Sequence, residues 1–131
     1  MSDAIKDPAI NVTSVSVSVI GAAGRMGSEV CRAVEAAADM LLVGRYDQGD
    51  DLGDLGGADV VVEFSVPDAS AANVAYCIDR GTHVVVGTTG WTQDKLADVR
   101  SQLTGKPGIG VLIAPNFAIG AILMMSFAQQ A

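Results

Sequence analysis

Short runs of valine and isoleucine alternate along this chain with longer stretches in which apolar residues return every three or four positions. The first run, Val15 to Ile20, sets valines at 15, 17 and 19 between Ser16 and Ser18, the two-residue period of a strand with one larger face. A glycine-rich turn follows from Gly21 to Gly27. It opens a helix with Met26, Val30, Ala33, Val34 and Ala37 on one stripe. Met40 to Val43 begins a second strand ending near Asp47, and Gln48 to Gly57 reads as an acidic, glycine-rich surface loop. Val60 to Phe64 is a third strand. Pro67 suits the first position of the next helix, and Gly81 the position just past its end. Val84 to Val86 is a fourth strand, closed by a sharp turn from Gly87 to Gly90. Thr92 can cap a helix to about Leu103, with Leu96, Val99 and Leu103 facing inward. Ile109 to Ile113 is a fifth strand, and a strongly apolar helix is predicted from Ile119 to Ala131.

This alternation predicts an α/β fold with a doubly wound parallel sheet. The length of 131 residues suits one domain, and the apolar half of the chain is rich in Val, Ala and Ile with only 5% aromatics. The mixed, polar residues 1–13 read as a flexible tail, leaving 14–131 as the domain. The last helix is apolar nearly all round and reaches Ala131 without a cap, glycine or proline, so the domain is expected to be incomplete here.

A formal net charge of −7 argues against a nucleic-acid partner, because phosphate backbones repel it. Pro115 and Asn116 interrupt the most apolar segment, 109–128, so no membrane-spanning run of about 18 residues forms. A cytoplasmic location is expected. Cys31 and Cys77 fall inside predicted helices as small apolar residues, with neither disulfide nor zinc spacing. The acidic loop from Asp50 to Asp54 lacks ordered metal-ligand spacing, and no metal is expected.

The candidate chemistry begins at Gly21-Ala22-Ala23-Gly24-Arg25-Met26-Gly27, between a strand and a helix. A tight turn there needs residues without Cβ, and the first helical N–H groups then face a pyrophosphate. A glycine-rich turn without a ligand satisfies the same spacing. Asp47, about twenty residues on, ends the second strand where a carboxylate accepts hydrogen bonds from an adenosine ribose. It could equally be a turn residue beside Gly49. Arg25 and Arg45 could offset its repulsion of a 2′-phosphate, or be solvated surface residues, so both NADH and NADPH stay open. Three further loops leave strand ends at 65–67, 87–90 and 114–117, where a nicotinamide would lie. The only histidine, His83, is at the other end of its strand and reads as structural.

The segments Val-Ile-Gly-Ala-Ala-Gly-Arg-Met-Gly (19–27), Val-Val-Gly-Thr-Thr-Gly-Trp (85–91) and Ala-Pro-Asn-Phe-Ala-Ile-Gly (114–120) resemble the N-terminal domain of the dihydrodipicolinate reductase family, also called 4-hydroxy-tetrahydrodipicolinate reductase. The resemblance runs over nearly the whole chain from Val15. It implies a Rossmann-like, NAD(P)H-binding domain, truncated before the substrate domain, of a reductase in lysine and diaminopimelate biosynthesis. By the same resemblance Gly21, Ala23, Gly24, Arg25, Met26 and Gly27 would line the pyrophosphate, and Asp47 would hold the adenosine ribose. Phe64 and Ser65 would lie along the cofactor. Gly87, Thr88 and Thr89, with Ala114, Asn116 and Phe117, would hold the nicotinamide end. The family's general acid lies in a two-histidine motif with a nearby lysine, and a Ser-Gly-Thr segment grips a carboxylate of its cyclic dicarboxylate substrate. This chain has neither motif, so no catalytic residue is expected in it. The family also implies a homo-oligomer, a tetramer, for the whole enzyme. Two other readings compete. A CoA-binding half of an acyl-CoA ligase uses similar glycine turns but needs neither Asp47 nor Asn116-Phe117. A redox-sensing regulator domain would need a basic DNA-binding segment, which is missing.

Overall fold

The computed structural model describes residues 14–114. The expected tail at 1–13, the expected helix from Ile119, and Asn116 and Phe117 lie outside the described residues. In chain order the elements are β1 (Val15–Ile20), α1 (Arg25–Ala36), β2 (Met40–Tyr46), a 3-10 turn (Leu55–Gly57), β3 (Val60–Glu63), α2 (Pro67–Asp79), β4 (His83–Val86), α3 (Gln93–Thr104) and β5 (Val111–Ile113). Every strand pairing is parallel, in the order β2-β1-β3-β4-β5.

The chain therefore starts in the middle of the sheet. It steps outward to β2, crosses back over β1 to β3, and steps outward the other way. Right-handed crossovers in opposite directions put α1 on one face and α2 with α3 on the other. Each face has its own core. Val17, Val19, Val60 and Val62 pack with Val30 and Val34 of α1. Val61, Val84 and Val86 pack with Val74 and Cys77 of α2 and Val99 of α3. Covering both faces explains why β3 reads as an unbroken valine run and not an alternating one.

The local signals act as their chemistry requires. Pro67 occupies the first turn of α2, where its missing N–H has no helical partner to lose. Thr92 caps α3, its hydroxyl accepting from the Lys95 N–H at 3.3 Å. Gly81 takes φ +75°, just beyond the end of α2, a backbone region that favours glycine.

Five expectations need correction. Ala33 is exposed, and Gly27, Val30, Cys31 and Val34 form the buried stripe of α1, at the offsets that keep one helix face. Strand β5 starts at Val111 and not Ile109, because Ile109 N–H closes a turn onto Lys106 and Gly110 N–H donates to His83 Nδ1 at 3.0 Å. Strand β4 gains His83 through pairing with Val60, and β3 ends at Glu63, one residue before Phe64. The fifth correction concerns the acidic stretch 48–57, which is more than a surface loop. Leu55 within it is fully buried in the second core. The stretch crosses tightly over β1, with the Ser18 hydroxyl donating to the Leu55 carbonyl at 2.8 Å. Gly56 comes so close to β2 that a Cβ would lie 2.7 Å from the Val43 carbonyl oxygen. The serines of β1 are thus the sockets of a crossover, Ser18 being fully buried beneath it.

Candidate functional site

The winding of the sheet reverses between β1 and β3, so the loops leaving their carboxyl ends diverge to opposite faces and leave a crevice. A cleft of about 420 Å³ lies there. Gly21 and Gly24 line it from the glycine turn, Asp47, Gly49 and Asp50 from the end of β2, and Phe64, Ser65 and Asn73 from β3 and α2. This is ample for part of an extended ligand, since small-molecule pockets run roughly 300–1,000 Å³.

The three glycines of the turn serve different ends. Gly21 has φ +86°, and a Cβ on it would sit 1.7 Å from the Phe64 carbonyl oxygen. A Cβ on Gly27 would sit 1.8 Å from the Gly21 carbonyl oxygen. Both are demanded by the protein's own backbone. Gly24 is not: its φ is −72°, and its nearest neighbour to an added Cβ is 3.4 Å away. It stands at the head of α1, on the cleft wall, where no side chain caps the helix and no acidic residue occupies the first turn. The unpaired N–H groups and positive end of α1 remain available to an anion. Arg25 and Ala23 are exposed beside it, and Met26 is half-buried.

Asp47 joins this turn to β2. Its Oδ1 accepts the Ala23 N–H at 3.0 Å, while its own N–H donates to Asp50 Oδ2 at 2.7 Å. The Tyr46 carbonyl accepts both the Gly21 and Ala22 N–H groups, at 2.7 and 3.1 Å. Arg45 points its charge elsewhere, pairing with Glu35 at 2.6 Å.

Across the cleft, the turn at 87–90 is pinned to the segment 64–67. The Phe64 ring lies where a Cβ on Gly87 would fall, 2.0 Å from it. Gly90, at φ +87°, packs against Pro67. Thr88 is buried, its hydroxyl accepting the Ser65 N–H at 2.8 Å and donating to Glu63 at 2.7 Å. Thr89 is exposed on the same turn. At the next strand end, Ala114 N–H donates to the Val86 carbonyl at 2.9 Å. All the expected site residues up to Ala114 thus gather along the carboxyl edge of the sheet.

Glu63 was not among the residues expected from sequence. It is fully buried, and its carboxylate accepts from Ser65, Ser70, Asn73 and Thr88. The available signal was a lone acid closing a strand of three valines, followed by serines at 65 and 70. Burial, and next the charge of Glu63, push the neighbouring Cys77 thiol up to about 12. Cys31 and Cys77 are both free and buried. His83 sits at the amino end of β4, accepting the Gly110 N–H, away from the cleft. Among the described residues, no helix is long and apolar enough to cross a membrane.

A doubly wound parallel sheet with a glycine turn at its switch point defines a dinucleotide-binding domain of the Rossmann-like class. The sequence profile described as dihydrodipicolinate reductase, N-terminus, matches residues 15–117, and the chain belongs to this family. It is 57% identical over 117 residues to the 4-hydroxy-tetrahydrodipicolinate reductase of Thermobifida fusca, covering 89% of this chain and 48% of that one. The enzyme of the same name from Streptomyces coelicolor is 52% identical over 120 residues, covering 90% and 48%. Among solved structures, a dipicolinate-bound dihydrodipicolinate reductase from Paenisporosarcina sp. TG-14 aligns with a TM-score of 0.71 at 26% identity, over 90% of this chain and 53% of that one. The biliverdin reductase of Synechocystis shares the fold at a TM-score of 0.61 and 16% identity. The chain spans about half the length of the curated relatives it matches.

Proposed function

We propose that this chain is the NAD(P)H-binding part of a 4-hydroxy-tetrahydrodipicolinate reductase, which reduces a cyclic unsaturated dicarboxylate by hydride transfer. The observation that carries the reading is the cleft at the β1/β3 switch, with the glycine turn and Asp47 on one side and Phe64, Ser65 and Asn73 on the other. Gly24 supports the fit, because it lines the cleft although the protein's own backbone does not demand a glycine there.

In this reading the head of α1, with Gly24, Arg25 and Met26, receives the pyrophosphate. Asp47 accepts from the adenosine ribose hydroxyls with the oxygen not committed to Ala23. Phe64, Ser65, Gly87, Thr88, Thr89 and Ala114 form the wall for the nicotinamide end, continued by Asn116 and Phe117. The reduced nicotinamide, when bound, supplies the hydride. The chain's own residues hold and orient it, and substrate grip and proton transfer fall to the other half of the enzyme. Family membership supports a homo-oligomeric, cytoplasmic enzyme.

The same geometry favours NADH over NADPH. A 2′-phosphate beside Asp47 would also meet Asp50, while Arg45 is engaged by Glu35. Trp91, half-buried directly after the 87–90 turn, provides the test. Its emission overlaps reduced-nicotinamide absorption, so titrations with NADH, NADPH and CoA can be followed by quenching. Saturable quenching by NADH, weaker by NADPH and none by CoA is expected. Binding of CoA alone would replace this reading with that of a CoA-binding module.

A further inference from the structure

The carboxylate of Glu63 is fully buried and, among the described residues, forms no ion pair. Neutral donors surround it instead. Oε1 accepts from Ser70 Oγ at 2.8 Å and from Thr88 Oγ1 at 2.7 Å. Oε2 accepts from Asn73 Nδ2 at 3.0 Å and from Ser65 Oγ. The direction of donation is fixed at Asn73. The Asn73 amide nitrogen can only donate, and the Thr88 hydroxyl, which accepts the Ser65 N–H, has its one proton to give to Glu63.

Burying a carboxylate without a cation is costly, and an apolar residue continuing the run Val60 to Val62 would avoid that cost. The donors come from the loop after β3, from α2, and from the loop after β4. The loop donors, Ser65 and Thr88, sit on the two segments that the cofactor reading above assigns to the second half of an extended dinucleotide. That reading assigns its first half to the glycine turn and Asp47, which lie outside the hydrogen bonds of Glu63.

We propose that Glu63 is a positioning residue that sets the relative geometry of Ser65 and the 87–90 turn, so that the nicotinamide half of the dinucleotide meets a preformed surface. This rests on the cofactor reading above. Because the Thr88 hydroxyl is committed on both sides, the turn offers its backbone groups and Thr89 to the ligand, and Thr88 acts through the hub.

The test compares NADH with ADP-ribose, which lacks the nicotinamide, by calorimetric titration of the 131-residue chain. Glu63→Gln keeps the side-chain size but turns an N–H group toward other donors. It is expected to weaken NADH by at least about tenfold while ADP-ribose stays within about twofold, as for loss of a hydrogen bond to a charged group. Thr88→Val, which preserves volume, is expected to repeat this selective loss, and Thr88→Ser to restore NADH binding. This pair carries the test if Glu63→Gln does not fold. Unchanged NADH affinity in Glu63→Gln or Thr88→Val overturns the proposal. Equal weakening of both ligands overturns it too, by making the hub merely structural. Failure of the unsubstituted chain to bind NADH would instead strike the cofactor reading, and the proposal with it.

Discussion

The two walls of the cleft are built on opposite principles. On the β1–β2 side the shape comes from atoms that are missing: at Gly21 and Gly27 the backbone of one segment fills the space where another residue would carry Cβ. On the β3–β4 side the shape comes from side chains that are present, with Glu63, Ser65, Ser70, Asn73 and Thr88 tied into one buried polar cluster. At Gly21 and Gly27 the first wall is held by sterics and tolerates no addition. The second is held by hydrogen bonds and tolerates no subtraction.

Substitutions can break this contrast from either side. The largest effect is expected at Gly21→Ala. Its Cβ would meet the Phe64 backbone, which has no side-chain rotamer to yield, at a φ that disfavours alanine. A loss of about 3 kcal/mol or more in urea unfolding is expected, and a loss under about 1 kcal/mol would show that the turn is soft. Next comes Thr88→Val, which removes one partner each from the half-buried Ser65 N–H and the buried Glu63 carboxylate. About 2 kcal/mol of stability should go, with most of it regained in Thr88→Ser. Equal stability of the valine and serine variants would mean the cluster is held by packing.

Gly24→Ala sharpens the contrast within the glycine turn. Its backbone angles suit alanine and its Cβ has room, so stability should change by less than about 1 kcal/mol, mainly through the poorer helix cap. NADH affinity, by contrast, should fall about tenfold, equivalent to ~1.4 kcal/mol. Loss of folding without a selective loss of binding would assign Gly24 to the fold. The last prediction concerns pH. The Cys77 thiol is raised from its ordinary value of 9.0 to about 12, so the folded state keeps its proton where the unfolded state releases it. Its contribution is full below pH 9 and declines as pH rises toward 12. Urea midpoints between pH 8 and 10.5 should therefore fall less steeply in Cys77→Ala than in the unsubstituted chain.

The same division explains what could be read from the sequence. Strands with both faces covered appear as valine runs, and Pro67, Gly81 and Thr92 mark helix ends through local backbone chemistry. Sterically demanded glycines are visible as a motif. The polar cluster was not visible, because its members are spread from residue 63 to 88 and meet only when β3, α2 and β4 pack. The burial of Leu55 was hidden for a similar reason. Its neighbours Asp54 and Gly56 read as solvent-facing, and only the crossover's path over β1 turns it inward. At the edges, β5 was read two residues too long because a side chain, His83, takes a backbone N–H that a strand pattern assigns to the sheet.

The acidic crossover also has a kinetic consequence. Asp47, Asp50, Asp51 and Asp54 fall within one short stretch, and two of them line the cleft of a chain with net charge −7. A dinucleotide approaches with a negatively charged pyrophosphate, so at low ionic strength the field resists the encounter before any contact forms. At physiological salt the Debye length shrinks to about 8 Å and the repulsion is largely screened. Association should therefore quicken as salt rises, the reverse of a protein that gathers anions by long-range attraction. In the proposed reading, selectivity then rests on the short-range contacts at the head of α1, where the helix presents its unpaired N–H groups.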